Sequence, residues 1–208
     1  VNAAFVVVFF GKGYLPLHTA AVETERGAAL ISGKSGIGKS TAAALLAASG
    51  RRLLGDDLCL VDVSASPRPN VSPAYDSISI TDRVRETILT ALPSAEILPP
   101  ARGTKHLFRL GERFCDAPLP AWRFVSIEIS NDSRAHLRPM AGAAKLQSIL
   151  NAVHYQYPVF RYYLAGLAAK RVATLANNVS AASLFRPYRR ELGEDYLDLL
   201  TSAIDDDI

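Results

Sequence analysis

The chain has 208 residues, 49% of them hydrophobic and 21% charged, enough for one sizeable core and ordinary for a soluble globular protein. Its net charge of +3 is too small to argue for a nucleic-acid surface, and its two cysteines provide neither a disulfide framework nor a metal-binding spacing. We therefore expect no nucleic-acid partner, no membrane partner and a reducing, cytoplasmic setting.

The opening run, Ala3-Ala4-Phe5-Val6-Val7-Val8-Phe9-Phe10, is too short to span a bilayer and lacks the basic start and cleavage site of a signal peptide. Its β-branched and aromatic content predicts a buried strand over 3–10, paired within this chain or with another subunit. Val1 rather than Met begins the sequence, as in a processed, trimmed or incomplete chain. After a turn at Gly11-Lys12-Gly13, a second strand is predicted over 15–24, and Glu25-Arg26-Gly27 forms the next turn.

Ala28-Ala29-Leu30-Ile31 then reads as a strand, and Thr41 to Ala48 as a helix ended by Gly50. Short strands follow over 51–54 and 58–63, then a proline- and serine-rich loop over 64–74. A helix over 83–92 stops at Pro93, and strands are predicted over 107–110 and 122–129. From Gly142 the periodicity is helical, over 143–152, 159–175 and 194–204, with Pro158 separating the first two. The Asp205-Asp206-Asp207 end reads as disordered. The sum is an α/β chain with its strands early and a helical tail.

Between the Ala28–Ile31 strand and the following helix lies Gly33-Lys34-Ser35-Gly36-Ile37-Gly38-Lys39-Ser40, which satisfies G-x-x-x-x-G-K-[ST] at every defined position, with Thr41 next. Glycines allow the backbone to wrap an anion with its N–H groups inward, and the helix N-terminus adds partial positive charge. Lys39 is placed to reach β- and γ-phosphates, and the Ser40 hydroxyl to ligate Mg²⁺. The alternative, a glycine-rich turn before an ordinary helix, does not account for the agreement of motif and flanks. A nucleoside triphosphate site follows, in one domain over 1–208 with a nucleotide-binding core at about 3–130 and a helical tail at about 140–208.

Asp56-Asp57 stands at the end of a short predicted strand, where one carboxylate could hold Mg²⁺ and the other accept a proton from an attacking hydroxyl. An ordinary surface turn remains the alternative. His18 precedes Gly33 on the neighbouring strand, which would bring it near the phosphates or the acidic pair, or leave it as a structural histidine.

Taken together, Leu17-His18-Thr19-Ala20-Ala21-Val22, the segment Ala29 to Thr41, and Leu54-Gly55-Asp56-Asp57 resemble the catalytic core of the HPr kinase/phosphorylase family. The same order is similar to that of ATP-dependent phosphoenolpyruvate carboxykinase. The resemblance covers about residues 15–63. It implies ATP and Mg²⁺ as cofactors, the loop amides and Lys39 on the triphosphate, and a serine hydroxyl of a small protein or peptide as acceptor. It also implies Ser40 and one of the two acids on the metal, the other acid as general base on the serine hydroxyl, and His18 in the same network; we favour Asp57 on the metal side and Asp56 as base or acceptor-orienting residue. Short proteins of this shape resemble kinases that modify a serine of a lasso-peptide precursor, and the family implies a homo-oligomer, the hexamer being its known form. A small-molecule kinase and a non-catalytic ATP sensor are the competing readings of the same core.

The remaining candidates take plainer readings. His106, His136 and His154 have no metal-like spacing and read as surface or satisfied core residues. Tyr155, Tyr157, Phe160, Tyr162 and Tyr163 read as core and subunit interface, with a peptide groove as the alternative. The pairs Arg51-Arg52, Lys170-Arg171 and Arg189-Arg190 read as solvated faces, with a phosphate- or acid-binding patch as the alternative, and so do Lys105 and Arg109, with contact to a phosphate or an acidic acceptor as theirs. Arg102-Gly103-Thr104-Lys105 is the nearest match to the glycine-rich, arginine-bearing segment that such kinases carry after the acidic pair, and a poor one.

Overall fold

The computed structural model describes residues 3–65, 67–91, 96–99, 105–154, 158–188 and 195–206. The elements begin with α1 (Ala3–Gly11), β1 (Tyr14–Leu17), β2 (Ala20–Thr24), β3 (Gly27–Ser32), α2 (Lys39–Ala48), β4 (Leu53–Gly55) and β5 (Cys59–Asp62). The middle holds β6 (Asn70–Ser72), β7 (Ser77–Thr81), α3 (Asp82–Ala91), β8 (Ile97–Leu98), β9 (Lys105–Arg109) and β10 (Leu119–Ser130). The last part comprises β11 (His136–Pro139), α4 (Gly142–Ala152), α5 (Pro158–Asn178), β12 (Ser180–Pro187) and α6 (Tyr196–Asp205).

The fold is α/β, built on a large mixed sheet whose central strand is β10. Its neighbours β3 and β12 run parallel to it. β2 adds antiparallel to β3, and β4 antiparallel to β2. On the other side, β11 adds antiparallel to β12. The start of β10 also pairs with β6, from which β5 and β1 continue antiparallel. A second sheet has the order β7-β9-β8.

Strands buried on both faces alternate their side chains between two cores. Val22, Ala29, Ile31, Val125 and Ile127 face α2 and α6 in one core. Ala21, Ala28, Leu30 and Phe124 face α1, α4 and α5 in the other. Gly27 permits the tight join of β3 to β10. Its φ is +135°, and a Cβ there would lie 2.2 Å from the Pro120 carbonyl oxygen. Arg123 crosses the first core fully buried, its Nε donating to the Ala203 carbonyl (2.8 Å) and its Nη1 to Ser180 Oγ (3.1 Å). Trp122 Nε1 donates to the Ile204 carbonyl (3.2 Å), so β10 satisfies the last carbonyls of α6, which have no partner within the helix.

Several expectations are corrected here. The run 3–10 is helix, not strand: Val6 and Phe10, four residues apart, are buried while Val7 and Val8 are exposed, a helical period that an unbroken apolar run conceals. Phe10 lies under the Arg171 guanidinium (5.5 Å to the ring centroid), and Arg171 Nη1 donates to the Tyr14 carbonyl (2.7 Å), so that arginine is tied into the structure rather than merely solvated. The predicted strand over 15–24 is broken at His18-Thr19, because β1 and β2 join different neighbours. The loop over 64–74 contains β6, and β7 and β11 are further strands that the pattern did not show. The tail is not wholly helical, since β12 enters the central sheet beside β10. Asp205 closes α6 and forms an ion pair with Arg51, whereas Asp207 lies outside the described residues. Arg52 likewise pairs with Glu23 (2.6 Å). Both cysteines are free and buried, and burial pushes the Cys59 thiol up to about 12, far from reactive.

Candidate functional site

The phosphate loop leaves the end of β3 and enters α2, the strand–loop–helix passage the motif requires. Gly33 is obligatory by two measures. Its φ is +147°, and a Cβ would stand 2.8 Å from both the Ile127 carbonyl oxygen and Ile37 Cγ2. Lys39 is the first residue of α2 and only 6% exposed. Its Nζ donates to the Gly33 carbonyl (3.0 Å) and, more loosely, to the Lys34 carbonyl (3.5 Å). Burial lowers the Lys39 pKa, and the nearby Asp57 and Asp56 charges oppose that shift. An ammonium bonded only to carbonyls of its own loop has donors to turn toward an anion placed in that loop.

Asp56 follows β4 and is 5% exposed. Its Oδ1 accepts from Ser40 Oγ (3.0 Å) and its Oδ2 from the backbone N–H of Ser79 on β7 (3.4 Å). Burial raises its pKa, and those two hydrogen bonds oppose the rise. A buried carboxylate touching the loop serine suits a divalent cation held by one carboxylate, a hydroxyl and substrate phosphates, rather than by a protein cage. No group of three or more His, Cys, Asp or Glu side chains among the described residues could enclose a metal by itself.

Asp57 adopts φ +72°, the one non-glycine residue so placed among those described. A left-handed aspartate is uncommon and turns this side chain away from its neighbour. Its carboxylate is 66% exposed, with Oδ1 3.5 Å from His18 Nε2. Burial lowers the His18 pKa, helped by the Lys39 charge and opposed by Asp57, so the imidazole is neutral at pH 7. The structure thus brings His18, Lys39, Ser40, Asp56 and Asp57 together, while Lys34, Ser35, Gly36, Ile37, Gly38 and Thr41 form the loop and first turn around them.

Arg186 and the Ser79 N–H were missed by sequence reasoning. Arg186, near the end of β12, donates from Nε (3.0 Å) and Nη2 (2.8 Å) to the Ile37 carbonyl at the crest of the loop. No local pattern marks it, because its segment reads as helical tail. Replacing Arg186 by alanine removes two charge-assisted bonds to one carbonyl. We expect nucleotide affinity to fall by about tenfold, the equivalent of ~1.4 kcal/mol. A fluorescent-nucleotide titration checks this, and unchanged affinity would show that the loop holds its shape without the Arg186 side chain.

Lys105 is exposed at the start of β9, and its positive charge is felt at His18, Lys39 and Asp56. Arg109 pairs instead with Glu96 (2.8 Å). His106 meets Asp82 (2.5 Å) and His136 meets Asp132 (3.7 Å), both away from the loop. His154 stacks on His18 rather than lying on an unrelated surface. Tyr155, Tyr157, Arg102, Gly103, Thr104, Arg189 and Arg190 lie outside the described residues, as do the side chains of Phe160, Tyr162 and Tyr163. No helix among the described residues is long and apolar enough to cross a membrane.

No protein-family model matches the chain, and no curated protein does. Among solved structures it is similar to the Hpr(Ser) kinase/phosphatase from Coxiella burnetii, at 13% sequence identity and a TM-score of 0.46, over 91% of this chain and 87% of that one.

Proposed function

We propose that this protein is an ATP- and Mg²⁺-dependent kinase that phosphorylates a serine hydroxyl of a small protein or peptide. The observation that carries the reading is the pairing of two acids with two partners across one turn: Asp56 with the loop serine Ser40 (3.0 Å), and Asp57 with His18 (3.5 Å). A nucleotide-binding loop alone needs the first pair; phosphoryl transfer to a hydroxyl also needs a base, which the second supplies. The serine acceptor, with a lasso-peptide precursor as one candidate, rests on the resemblance of the His18, loop and Asp56-Asp57 segments.

When bound, Mg²⁺-ATP supplies the transferable phosphoryl group and the cation that neutralises its charge. The loop amides would orient the phosphates, and Lys39 Nζ would exchange the Gly33 carbonyl for them. Ser40 Oγ and Asp56 would hold the cation. Asp57 Oδ1 would take the proton of the acceptor hydroxyl as that oxygen bonds to the γ-phosphorus and the bond from that phosphorus to the bridging oxygen of ADP breaks, with ADP as the leaving group, and His18 would orient the carboxylate. This division of the two acids is the reverse of the sequence expectation, which set Asp56 as base and Asp57 on the metal. It is supported by the burial of Asp56 against Ser40 and the exposure of Asp57, since a base must be reachable by an incoming acceptor.

The test is intact-mass measurement after incubation with ATP and Mg²⁺ of a panel containing HPr, a serine-bearing lasso-type precursor peptide and several small alcohols. We expect one phosphate to be added to a peptide or protein acceptor. Addition to an alcohol alone would make this a small-molecule kinase, and measurable ATP binding with no transfer to any member would favour the sensor reading.

A further inference from the structure

We propose that His154, at the exit of α4, is a positioning residue that holds the His18 imidazole against Asp57; the role in turnover rests on the phosphotransfer reading above. The two rings lie 5.7 Å apart between centroids and 15° from parallel, within the range of offset stacking. Their alignment is set by backbone. The N–H of His18 donates to the Ala152 carbonyl (2.7 Å), and the N–H of His154 donates to the Pro16 carbonyl (3.0 Å). Leu17 and Val153 form an antiparallel bridge between those bonds. In such a ladder, His18 and His154 are diagonal neighbours on one face, a separation aromatic rings can span.

This short ladder sits where β1 ends and β2 begins, at the break that frees His18 from the main sheet. Without it, one face of the His18 ring would have no partner to define its rotation, and its side chain is already 31% exposed. His154 Nε2 is buried and without a hydrogen-bond partner among the described residues, so that atom does not hold the ring. The stack on His18 is the ring contact the structure shows. Lys39, Asp57 and Lys105 are the charged groups that act on His18, and Asp57 also acts on His154. Burial lowers the pKa of both rings, so the stack forms between neutral imidazoles without cation–cation repulsion.

The experiment compares His154→Ala with His154→Phe, which keeps a planar ring but no nitrogen. Three quantities are read: kcat and KM for ATP with the acceptor found, the His18 tautomer by nitrogen-resolved imidazole NMR without substrate, and the thermal midpoint. We expect His154→Ala to lower kcat about tenfold to hundredfold at unchanged KM, and to mix the His18 tautomers. His154→Phe should restore kcat to within about threefold, together with a single tautomer. The proposal is overturned if His154→Ala leaves both readouts as in the wild type, or if His154→Phe is as impaired as His154→Ala. Should the alanine variant fail to fold, His154→Leu, bulky but not planar, takes its place. A wild-type protein that transfers no phosphate, while the tautomer responds as expected, would sink the kinase reading and support the positioning of His18.

Discussion

Lys39→Ala is expected to remove phosphoryl transfer, lowering kcat by at least about 10²–10³-fold, while the protein stays folded. The physical reason is the position of its ammonium. Nζ is held at the mouth of the loop by the Gly33 and Lys34 carbonyls, weak partners for a cation and easily exchanged for phosphate oxygens. Alanine removes the one buried cation of the loop, and the nearest guanidinium, that of Arg186, is already committed to the Ile37 carbonyl. The fold should tolerate the change. Lys39 is the first residue of α2, where alanine is an excellent helix former, and burial of its charge works against the folded state. A lysine whose pKa is lowered by folding destabilises the protein at neutral pH, where the ammonium is charged, so its removal should not reduce the thermal midpoint of the nucleotide-free protein. The paired measurement is turnover with the acceptor and thermal unfolding without nucleotide. Retained turnover in a folded variant would remove the loop from the mechanism.

Asp56→Asn should show the opposite effects on stability and activity more sharply still. Turnover is expected to drop by about 10³-fold or more, because the cation loses its only buried carboxylate and with it several kcal/mol of charge stabilisation. The nucleotide-free protein should nevertheless become more stable. Burial raises the Asp56 pKa, so folding favours its neutral form. Its stabilising contribution is complete below the ordinary carboxylate value of about 4 and is lost as pH rises through the raised value. Asparagine imitates the neutral acid at every pH, and rotation of the Ser40 hydroxyl lets it keep a bond to that residue while its carbonyl accepts from the Ser79 N–H. A rise in thermal midpoint of about 2–4 °C per kcal/mol of relieved penalty is the expected scale. Asp57→Asn is the matched control. It should lower kcat by about 10²–10⁴-fold, as loss of a base does, with the Mg²⁺ concentration for half-maximal rate unchanged. If Asp57→Asn moves the Mg²⁺ requirement and Asp56→Asn does not, the two acids exchange roles.

On the reading proposed above, Asp56 would trade stability for chemistry: burial disfavours its charged form, and a bound cation would offset that cost. Asp57 shows the complementary device. Its left-handed backbone directs the second carboxylate outward, so two adjacent acids occupy different environments, one buried and one exposed.

The amino-acid sequence by itself determined the phosphate loop, because that geometry depends on contiguous residues: Gly33 and Gly38 supply positive φ, Lys39 and Ser40 open the helix, and the motif itself marks the short apolar run before it as a strand. It also determined α2, α3, α4 and α5, whose periodicity, breakers and caps act within a few residues. It left the first apolar run ambiguous, since a short stretch without polar punctuation has no visible period, and only packing of Val6 and Phe10 on the second core selects helix. The pairing of Ser40 with Asp56 and of His18 with Asp57 was decided by tertiary structure, because sheet register and one unusual φ, not spacing along the chain, separate the two acids. Arg186 and His154 are more distant cases. Each reaches the site from a segment more than a hundred residues beyond its partner, Ile37 or His18, and is delivered by a backbone ladder that no local pattern encodes.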